Sequence, residues 1–186
     1  MNKSSFVIGL SSCRQVGKDT LFNRLNTLSS RFRRFSLADR LKSDLAPFLL
    51  QHFEIDIWEA DGKAKELVRP ILIAYGMCQR ERDEAHWIKE VIIQIDDVIE
   101  KHPDIIPVIT DCRFVNEVTH LSSYYGNAFK LIHLTRDGAP EPTSEEMKHF
   151  QAVEELAHLK LHWGGNTLEG QIEHARKVCK AFKVAL

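Results

Sequence analysis

A short apolar run, followed by a glycine-lysine loop and an amphipathic segment, is the feature that most constrains how this chain can fold. The run FVIGL at residues 6–10 has the composition of a buried parallel strand, and we predict a strand over residues 5–10. The loop SSCRQVGKDT comes next, and Leu21, Leu25 and Leu28 then recur at helical spacing. A strand, a glycine-containing loop and a helix in this order are typical of a phosphate-binding loop.

The loop matches the phosphate-loop pattern at two of its four defining positions. That pattern is Gly, four residues, then Gly-Lys-Ser/Thr. Gly17 and Lys18 match, whereas Ser12 takes the place of the first glycine and Asp19 takes the place of the hydroxyl residue. Such loops bind phosphate through successive backbone N–H groups and the positive end of the next helix, so the variable side chains matter little. We therefore predict nucleotide binding by residues 12–20, namely Ser12, Cys13, Arg14, Gln15, Val16, Gly17, Lys18, Asp19 and Thr20.

Three loop side chains carry chemistry beyond the backbone. Lys18 supplies the charge that follows the β- and γ-phosphates of a nucleoside triphosphate. Asp19 and Thr20 offer a carboxylate and a hydroxyl, which are oxygen ligands that Mg²⁺ accepts. The alternative for Asp19 is an acid of the first helical turn that only stabilises the positive helix end.

Strand and helix patterns alternate along the rest of the chain. We predict further strands in RRFSL (33–37), DIIPVIT (104–110), AFKLIHLT (128–135) and LKLHW (159–163), although Pro107 is awkward in a central strand. Ser36 and Asp39 match a capping box at the start of a helix. Residues 57–101 contain no convincing strand. This order predicts one α/β domain over residues 1–186, with a mostly parallel sheet of about five strands and a helical insertion at about 55–101.

Composition excludes several classes of partner. The chain has 25 basic and 26 acidic side chains, so its net charge of −1 gives no general attraction to nucleic acid or to anionic membranes. Its four cysteines are scattered without a CxxC pair, which argues against a disulfide framework or a zinc site. No stretch approaches the roughly 20 apolar residues that span a bilayer. We therefore expect a soluble cytoplasmic protein that binds neither nucleic acid nor membrane.

Three stretches resemble the bacteriophage-type deoxynucleoside monophosphate kinase family. GKDT at residues 17–20 resembles its phosphate loop, and also that of animal phosphomevalonate kinase. TDCRFVNEV at 110–118 is similar to the family's Asp-x-Arg-Phe-x-Asn-Glu segment, and KELVRPILIAYGMCQRERDEAHW at 65–87 resembles its helical substrate region. Weaker similarities are SLADRLK, PTSEE and GGNTLEG. Together these stretches touch most of the chain in the family's order.

The resemblance implies a three-layer fold like that of the P-loop nucleoside monophosphate kinases, and a Mg²⁺-dependent transfer of the γ-phosphoryl group of ATP to a deoxynucleoside monophosphate. It implies a short lid at about 135–146, a cytoplasmic location in the host cell if the protein is viral, and catalytic roles for Lys18, Arg113 and Arg136. Asp111 joins Asp19 and Thr20 as a metal ligand. The residues implied to bind the acceptor are Asp39, Arg69, Tyr75, Gly76, Arg80, Trp87, Asp111 and Arg113, with Arg82 as the alternative to Arg80.

Other readings of the same residues stay open. The acceptor could be another small phosphate ester such as phosphomevalonate, or the chain could be a nucleotide-binding regulator without activity. Arg113 could form an i to i+4 ion pair with Glu117, and Trp87 could belong to the core. The expected partners are small-molecule nucleotides, and a homodimer is compatible with the sequence.

Overall fold

Strands and helices alternate through most of the chain. The computed structural model describes residues 6–13, 15–141, 144–165 and 167–184. Its elements in chain order are β1 (Val7–Ser11), α1 (Lys18–Leu28), β2 (Phe32–Phe35), α2 (Leu37–Phe53), α3 (Gly62–Arg82), α4 (His86–Lys101), β3 (Ile106–Cys112), α5 (Val115–Tyr125), β4 (Phe129–Arg136), α6 (Ser144–Glu155), β5 (Leu159–Trp163) and α7 (Leu168–Ala181).

The five strands form one parallel sheet in the order β2-β3-β1-β4-β5. The first strand is central, with Ile8 opposite Val108 of β3 and Lys130 of β4. Because every strand runs in the same direction, the carboxyl ends of all five lie at one edge of the sheet. Open α/β sheets bind their ligands at this edge, beside the strand where the chain order reverses, which here is β1.

Helices cover both faces of the sheet, so the architecture is a three-layer α/β arrangement. On one face α1 and α7 bury Leu21, Leu25 and Val178 against the strands. On the other face α4, α5 and α6 do the same, with Ile95 and Leu121 fully buried. The predicted α/β class and parallel five-stranded sheet are confirmed.

A helical corner joins β2 to β3. The helices α2, α3 and α4 occupy this connection, and it contains no strand. The corner has a small core of its own, formed by Leu49, Ile57 and Val68. The segment of about residues 55–101, predicted as a helical insertion, contains α3 and α4, and α2 belongs to the same connection.

Pro107 lies within β3, an interior strand. The N–H of Ile106 donates to the carbonyl of Arg31 on the β2 side (2.7 Å). Pairing with β1 begins only at Val108. The N–H that proline lacks therefore falls near the start of the strand, before its pairing with β1, where its loss costs least.

Two predicted features differ from the structure. The lid was predicted over about residues 135–146, but Thr135 and Arg136 belong to β4, where they pair with β5, and α6 begins at Ser144. Ser36 is the N-cap of α2 as predicted, and its hydroxyl accepts the N–H of Ala38 (3.2 Å). However, the carboxylate of Asp39 lies 2.7 Å from Arg34, so Asp39 does not complete a capping box.

No helix in the described part of the chain is long and apolar enough to cross a membrane.

Candidate functional site

The glycine-lysine loop connects the carboxyl end of β1 to the first residue of α1. Gly17 is the N-cap of α1 and has φ 112° and ψ 27°, which lies in the left-handed region. Gln15 also has a positive φ, of 59°. A Cβ built on Gly17 would have its nearest neighbours at 3.8 Å, which is ordinary contact. The backbone conformation, rather than a lack of space, therefore requires glycine at this position.

We expect Gly17→Ala to lower the free energy of unfolding by at least about 1 kcal/mol, because alanine is strained in the left-handed region. Urea unfolding would measure the change. The matched control is Gly165→Ala, where the φ is not in that region and an added Cβ meets nothing within 4 Å. Equal effects of the two substitutions would contradict the assigned loop conformation.

Ser12 stands where the phosphate-loop pattern has its first glycine. It is not among the residues with positive φ, so its backbone has no need of glycine. Its hydroxyl donates to the carbonyl of Cys13 (2.7 Å) and accepts from Lys18. The substitution thus leaves the loop conformation intact and adds a polar contact inside it. Arg14, also predicted to bind nucleotide, lies outside the described residues.

Lys18 is buried, with 8% of its surface exposed. Its ammonium group donates to three loop oxygens, at 2.7 Å to Ser12 Oγ, 2.9 Å to the Cys13 carbonyl and 3.2 Å to the Ser12 carbonyl. The pKa of Lys18 is lowered from 10.5 to about 8, first by burial and then by the positive charge of Arg113, against the opposing charges of Asp111 and Asp19. Because burial disfavours the charged form, a phosphate bound beside the ammonium group would stabilise that form.

Asp111, near the end of β3, anchors α2. Its carboxylate accepts the hydroxyl of Ser36 (2.7 Å) and the backbone N–H groups of Leu37 (2.8 Å) and Ala38 (3.1 Å). A carboxylate has about four acceptor sites, so at most one stays available for another ligand. The role of Asp111 as a metal ligand stays a prediction, and most of its acceptor sites are occupied by donors at the N-terminus of α2. Its remaining influence on the site is its charge, which raises the pKa of Lys18.

Glu117, which the sequence-based site did not include, joins two elements at this edge. One carboxylate oxygen accepts the backbone N–H groups of Arg113 (2.7 Å) and Phe114 (3.1 Å). The other accepts from the guanidinium of Arg80 at 3.2 Å. Burial raises the pKa of Glu117 to about 7, although these donors oppose the shift. The Asn-Glu pair that ends the TDCRFVNEV similarity was the signal that could have found this residue.

Arg80, and not Arg82, contacts Glu117. The guanidinium of Arg80 lies over the ring of Phe114, 4.7 Å from its centre, in addition to its contact with Glu117. Arg82 instead contacts the side chain of Gln79, one turn earlier on α3. The proposed Arg113–Glu117 contact exists, but the backbone of Arg113 makes it and the side-chain ion pair is with Arg80.

Arg69 lies away from this cluster. It is exposed and forms an i,i+3 pair with Glu66 at 3.3 Å. Eleven residues of α3 separate it from Arg80, which corresponds to about 16 Å along the helix axis. The two arginines therefore do not converge on a single phosphate in this structure.

The aromatic pair predicted to stack on a base packs between helices instead. Trp87 is 3% exposed, and its indole N–H donates to the carbonyl of Gly76 (3.2 Å). A Cβ on Gly76 would lie 2.8 Å from the side chain of Leu41, so glycine permits the close approach of α3 to α2. The Tyr75 hydroxyl donates to Asp44 (3.1 Å), and its ring meets that of Trp87 edge-on. These three residues stabilise the helical corner, and Trp87 has no ring face exposed for a base.

The other predicted site residues lie in the loop, in the first turns of α1 and α2, and at the end of β4. Asp19 is exposed and Thr20 half-buried in the first turn of α1, while Arg136 is the last residue of β4. Cys13 and Val16 are buried in the core beneath the loop. Asp39, in the first turn of α2, is engaged by Arg34. Within the described ranges no three His, Cys, Asp or Glu side chains form a group that could hold a metal ion unaided.

A buried histidine lies behind the loop. His133 of β4 contacts the hydroxyl of Ser11 through Nδ1 at 2.9 Å, and that hydroxyl donates to the Ile132 carbonyl at 3.3 Å. Its Nε2 atom has no hydrogen-bond partner among the described residues. Burial lowers the pKa of His133, so the neutral ring fits this position beside the Lys18 charge. Nothing in the sequence pattern distinguished this histidine from other residues of the strand.

No protein-family model matches this chain, and no curated protein matches it by sequence. The chemistry of the site is therefore inferred from the functional groups that it contains. It combines a glycine loop at a helix N-terminus, a buried ammonium group and two guanidinium groups at the ligand-binding edge of a parallel sheet. Such an array is suited to holding phosphate oxygens and neutralising their charge.

Proposed function

We propose that this chain is an ATP-dependent kinase with a fold like that of the P-loop nucleoside monophosphate kinases, and that it transfers the γ-phosphoryl group to a deoxynucleoside monophosphate. The observation that carries the proposal is the pair of cations at the loop. Lys18 is buried there, and the charge of Arg113 acts on it strongly enough to contribute to its lowered pKa. Phosphate oxygens bound at the loop would place further negative charge beside both cations, in addition to the charges of Asp111 and Asp19.

Two phosphate-bearing substrates explain why the cations fall into two groups. The loop with Gly17 and Lys18 would hold the phosphates of ATP, because its backbone N–H groups and helix N-terminus suit a polyphosphate. Arg113 and Arg80 would hold the acceptor monophosphate from the other side. Phosphoryl transfer needs the two anions aligned and their repulsion neutralised, with little covalent chemistry from the protein. A regulator that only binds ATP would need the first group alone.

Mg²⁺ is the cofactor that this reaction requires, and part of the predicted ligand set fits it. The carboxylate of Asp19 is exposed at the start of α1, and the hydroxyl of Thr20 lies in the same turn. Mg²⁺ in kinase sites takes only one or two protein ligands, with water and substrate phosphates completing the shell. Asp19 and Thr20 would hold the ion, whose charge neutralises the β- and γ-phosphates. Asp111 fits less well because the α2 N-terminus occupies most of its oxygens.

Asp19→Ala should raise the Mg²⁺ concentration needed for half-maximal rate by roughly tenfold, because outer or inner ligands of a metal typically contribute that much to its affinity. Binding of ATP without metal should be unchanged or tighter, since a negative charge is removed from the loop. The measurement is a Mg²⁺ titration of the rate at fixed ATP. Glu169→Ala, in the first turn of α7, is the matched control for losing a first-turn acid. An unchanged Mg²⁺ requirement would leave Asp19 as a simple helix-stabilising acid.

A second acceptor class is supported by the burial of Trp87. The ring of Trp87 is not presented for a base in this structure, and Tyr75 is half-buried with its hydroxyl donating to Asp44. That arrangement favours a kinase of a small phosphate ester without a base, such as phosphomevalonate. Both candidate kinases would use the same loop and arginines, and both would transfer the γ-phosphoryl group of ATP.

One experiment tests the activity and separates the two acceptors. Nucleoside and deoxynucleoside monophosphates, together with phosphomevalonate, are incubated singly with ATP, Mg²⁺ and the protein, and ADP release is measured for each. The expected result is ADP release that depends on a monophosphate carrying a base. Release with phosphomevalonate alone would support the second candidate, and release with none of them would contradict the kinase proposal.

A further inference from the structure

One buried carboxylate holds the acceptor side of the site together. Glu117 is 3% exposed and belongs to the first turn of α5, where its neighbour Val118 is also buried in the core. Its two oxygens take three donors: the backbone N–H groups of Arg113 and Phe114 and the guanidinium of Arg80. These donors come from the β3–α5 turn and from the last turns of α3. Glu117 therefore connects the end of α3, which carries Arg80, to the turn that carries Arg113.

We propose that Glu117 is a positioning residue that orders Arg80 and the Arg113 turn, and thereby sets the affinity for the acceptor monophosphate. This inference rests on the proposed kinase function. Glu117 would not touch the phosphate, because its oxygens are occupied by protein donors. Its effect would pass through the two arginines.

Arg80 is held at two points. One nitrogen of its guanidinium donates to Glu117, and the face of the group lies on the ring of Phe114. The ring of Phe114 in turn meets His149 of α6 edge-on, with centres 5.2 Å apart. An arginine fixed in this way has less rotational freedom to lose when a phosphate binds, and a guanidinium has five N–H donors, so others stay available.

The charge of Glu117 matters to this role because a charge-assisted hydrogen bond is stronger than a neutral one. Burial raises the pKa of Glu117 to about 7, so the carboxylate gains a proton as the pH falls below neutrality. Among the described residues, the charged or titratable groups near it include Arg80, Asp111, Cys112 and Arg113, with His149 of α6 one ring further away. The neutral acid holds Arg80 less firmly, so acceptor binding should weaken as the pH falls from 8 to 6.

The test is steady-state kinetics of Glu117→Gln, with each substrate varied at saturating levels of the other. Glutamine keeps an oxygen that accepts the N–H groups of Arg113 and Phe114, so the turn should stay folded. We expect the KM of the acceptor to rise several-fold, up to about tenfold, because the Arg80 side chain must then be ordered on binding. The KM of ATP should stay within about twofold, since the ammonium group of Lys18 donates to Ser12 and Cys13 rather than to Glu117. Glu81→Gln, an exposed acid beside Arg80 in sequence, is the matched control.

Two further measurements identify positioning rather than general destabilisation. In the Arg80→Ala background, Glu117→Gln should raise the acceptor KM by much less than it does alone, because its effect passes through Arg80. The acceptor KM of the wild type should rise on going from pH 8 to 6 by more than ionisation of the phosphate, with its pKa near 6, explains. Glu117→Gln should remove that excess.

The outcomes separate this inference from the kinase proposal. If the wild-type protein releases no ADP with any of the acceptors tested, both proposals are overturned. An active wild type, with an unchanged acceptor KM in Glu117→Gln or with parallel rises in both KM values, overturns the positioning role alone. Should Glu117→Gln fail to fold, Phe114→Leu removes the aromatic ring on which the Arg80 guanidinium lies. The same two KM values are then measured for that variant, with the same expected results.

Discussion

Replacing Lys18 by methionine is expected to lower the rate of phosphoryl transfer by at least about a hundredfold, as for other preorganised charge stabilisers. The ammonium group of Lys18 lies inside the loop and already contacts three loop oxygens. On ATP binding it would exchange these for the oxygens of the transferring phosphate, where negative charge develops. Methionine has a similar length, so it removes the charge and the hydrogen bonds of the ammonium group while keeping most of the side-chain volume.

The folded state should tolerate this substitution. The pKa of Lys18 is about 8 in the folded protein, against 10.5 for an unperturbed lysine, so folding disfavours the charged form at every pH below 8. Removing the charge therefore offsets part of what the lost hydrogen bonds contribute. Circular dichroism and urea unfolding would establish that the variant is folded before its rate is measured.

A matched control isolates the position of the lysine. Lys177→Met removes an exposed lysine of α7 that pairs with Glu173. Its rate should be close to that of the wild type. A folded Lys18→Met protein that turned over as fast as this control would mean that the loop does not hold the transferring phosphate.

The strand-loop-helix unit around Gly17 could be predicted because its signals are local. The apolar run of β1, the left-handed glycine and the leucines of α1 all lie within about 25 residues of sequence, and each obeys a rule of its own. The alternation of strands and helices then predicts a parallel sheet, since consecutive parallel strands require a crossover. Most of the fold follows from such local patterns.

The contacts of the site could not be predicted because they join distant residues. Asp111 takes its partners from Ser36 and the start of α2, more than 70 positions earlier, and Glu117 takes Arg80 from 37 positions earlier. No spacing rule relates such pairs. The sequence therefore showed which polar residues follow the strands, but not which of them the protein uses to hold its own helices.

Trp87 shows the same limit for apolar residues. A tryptophan on an amphipathic helix is compatible both with the core and with a ligand site, and its pattern is identical in the two cases. What decides is Gly76, which permits α3 and α2 to approach and accepts the indole N–H. That contact depends on how three helices pack, which the one-dimensional pattern does not contain.

Replacing Arg80 or Arg113 by lysine is expected to raise the KM of the acceptor while leaving the KM of ATP nearly unchanged. Lysine keeps the positive charge but loses the planar fork that binds two phosphate oxygens at once. For Arg80 it also loses the stacking on Phe114. Part of the loss should appear in kcat, because displacing a reacting oxygen by about 1 Å can cost on the order of a hundredfold in rate.

Arg82→Lys and Arg69→Lys are the matched controls, since both arginines belong to α3 and neither contacts Glu117 in the way that Arg80 does. The structure predicts that only the Arg80 and Arg113 variants impair acceptor binding, whereas the family resemblance alone would also implicate Arg69. Steady-state kinetics of the four single variants separates the two expectations. If Arg69→Lys had the larger effect, α3 would have to move toward the loop when substrates bind. If all four variants bound the acceptor normally, the acceptor site would lie elsewhere, with Arg136 at the end of β4 as the next arginine to test.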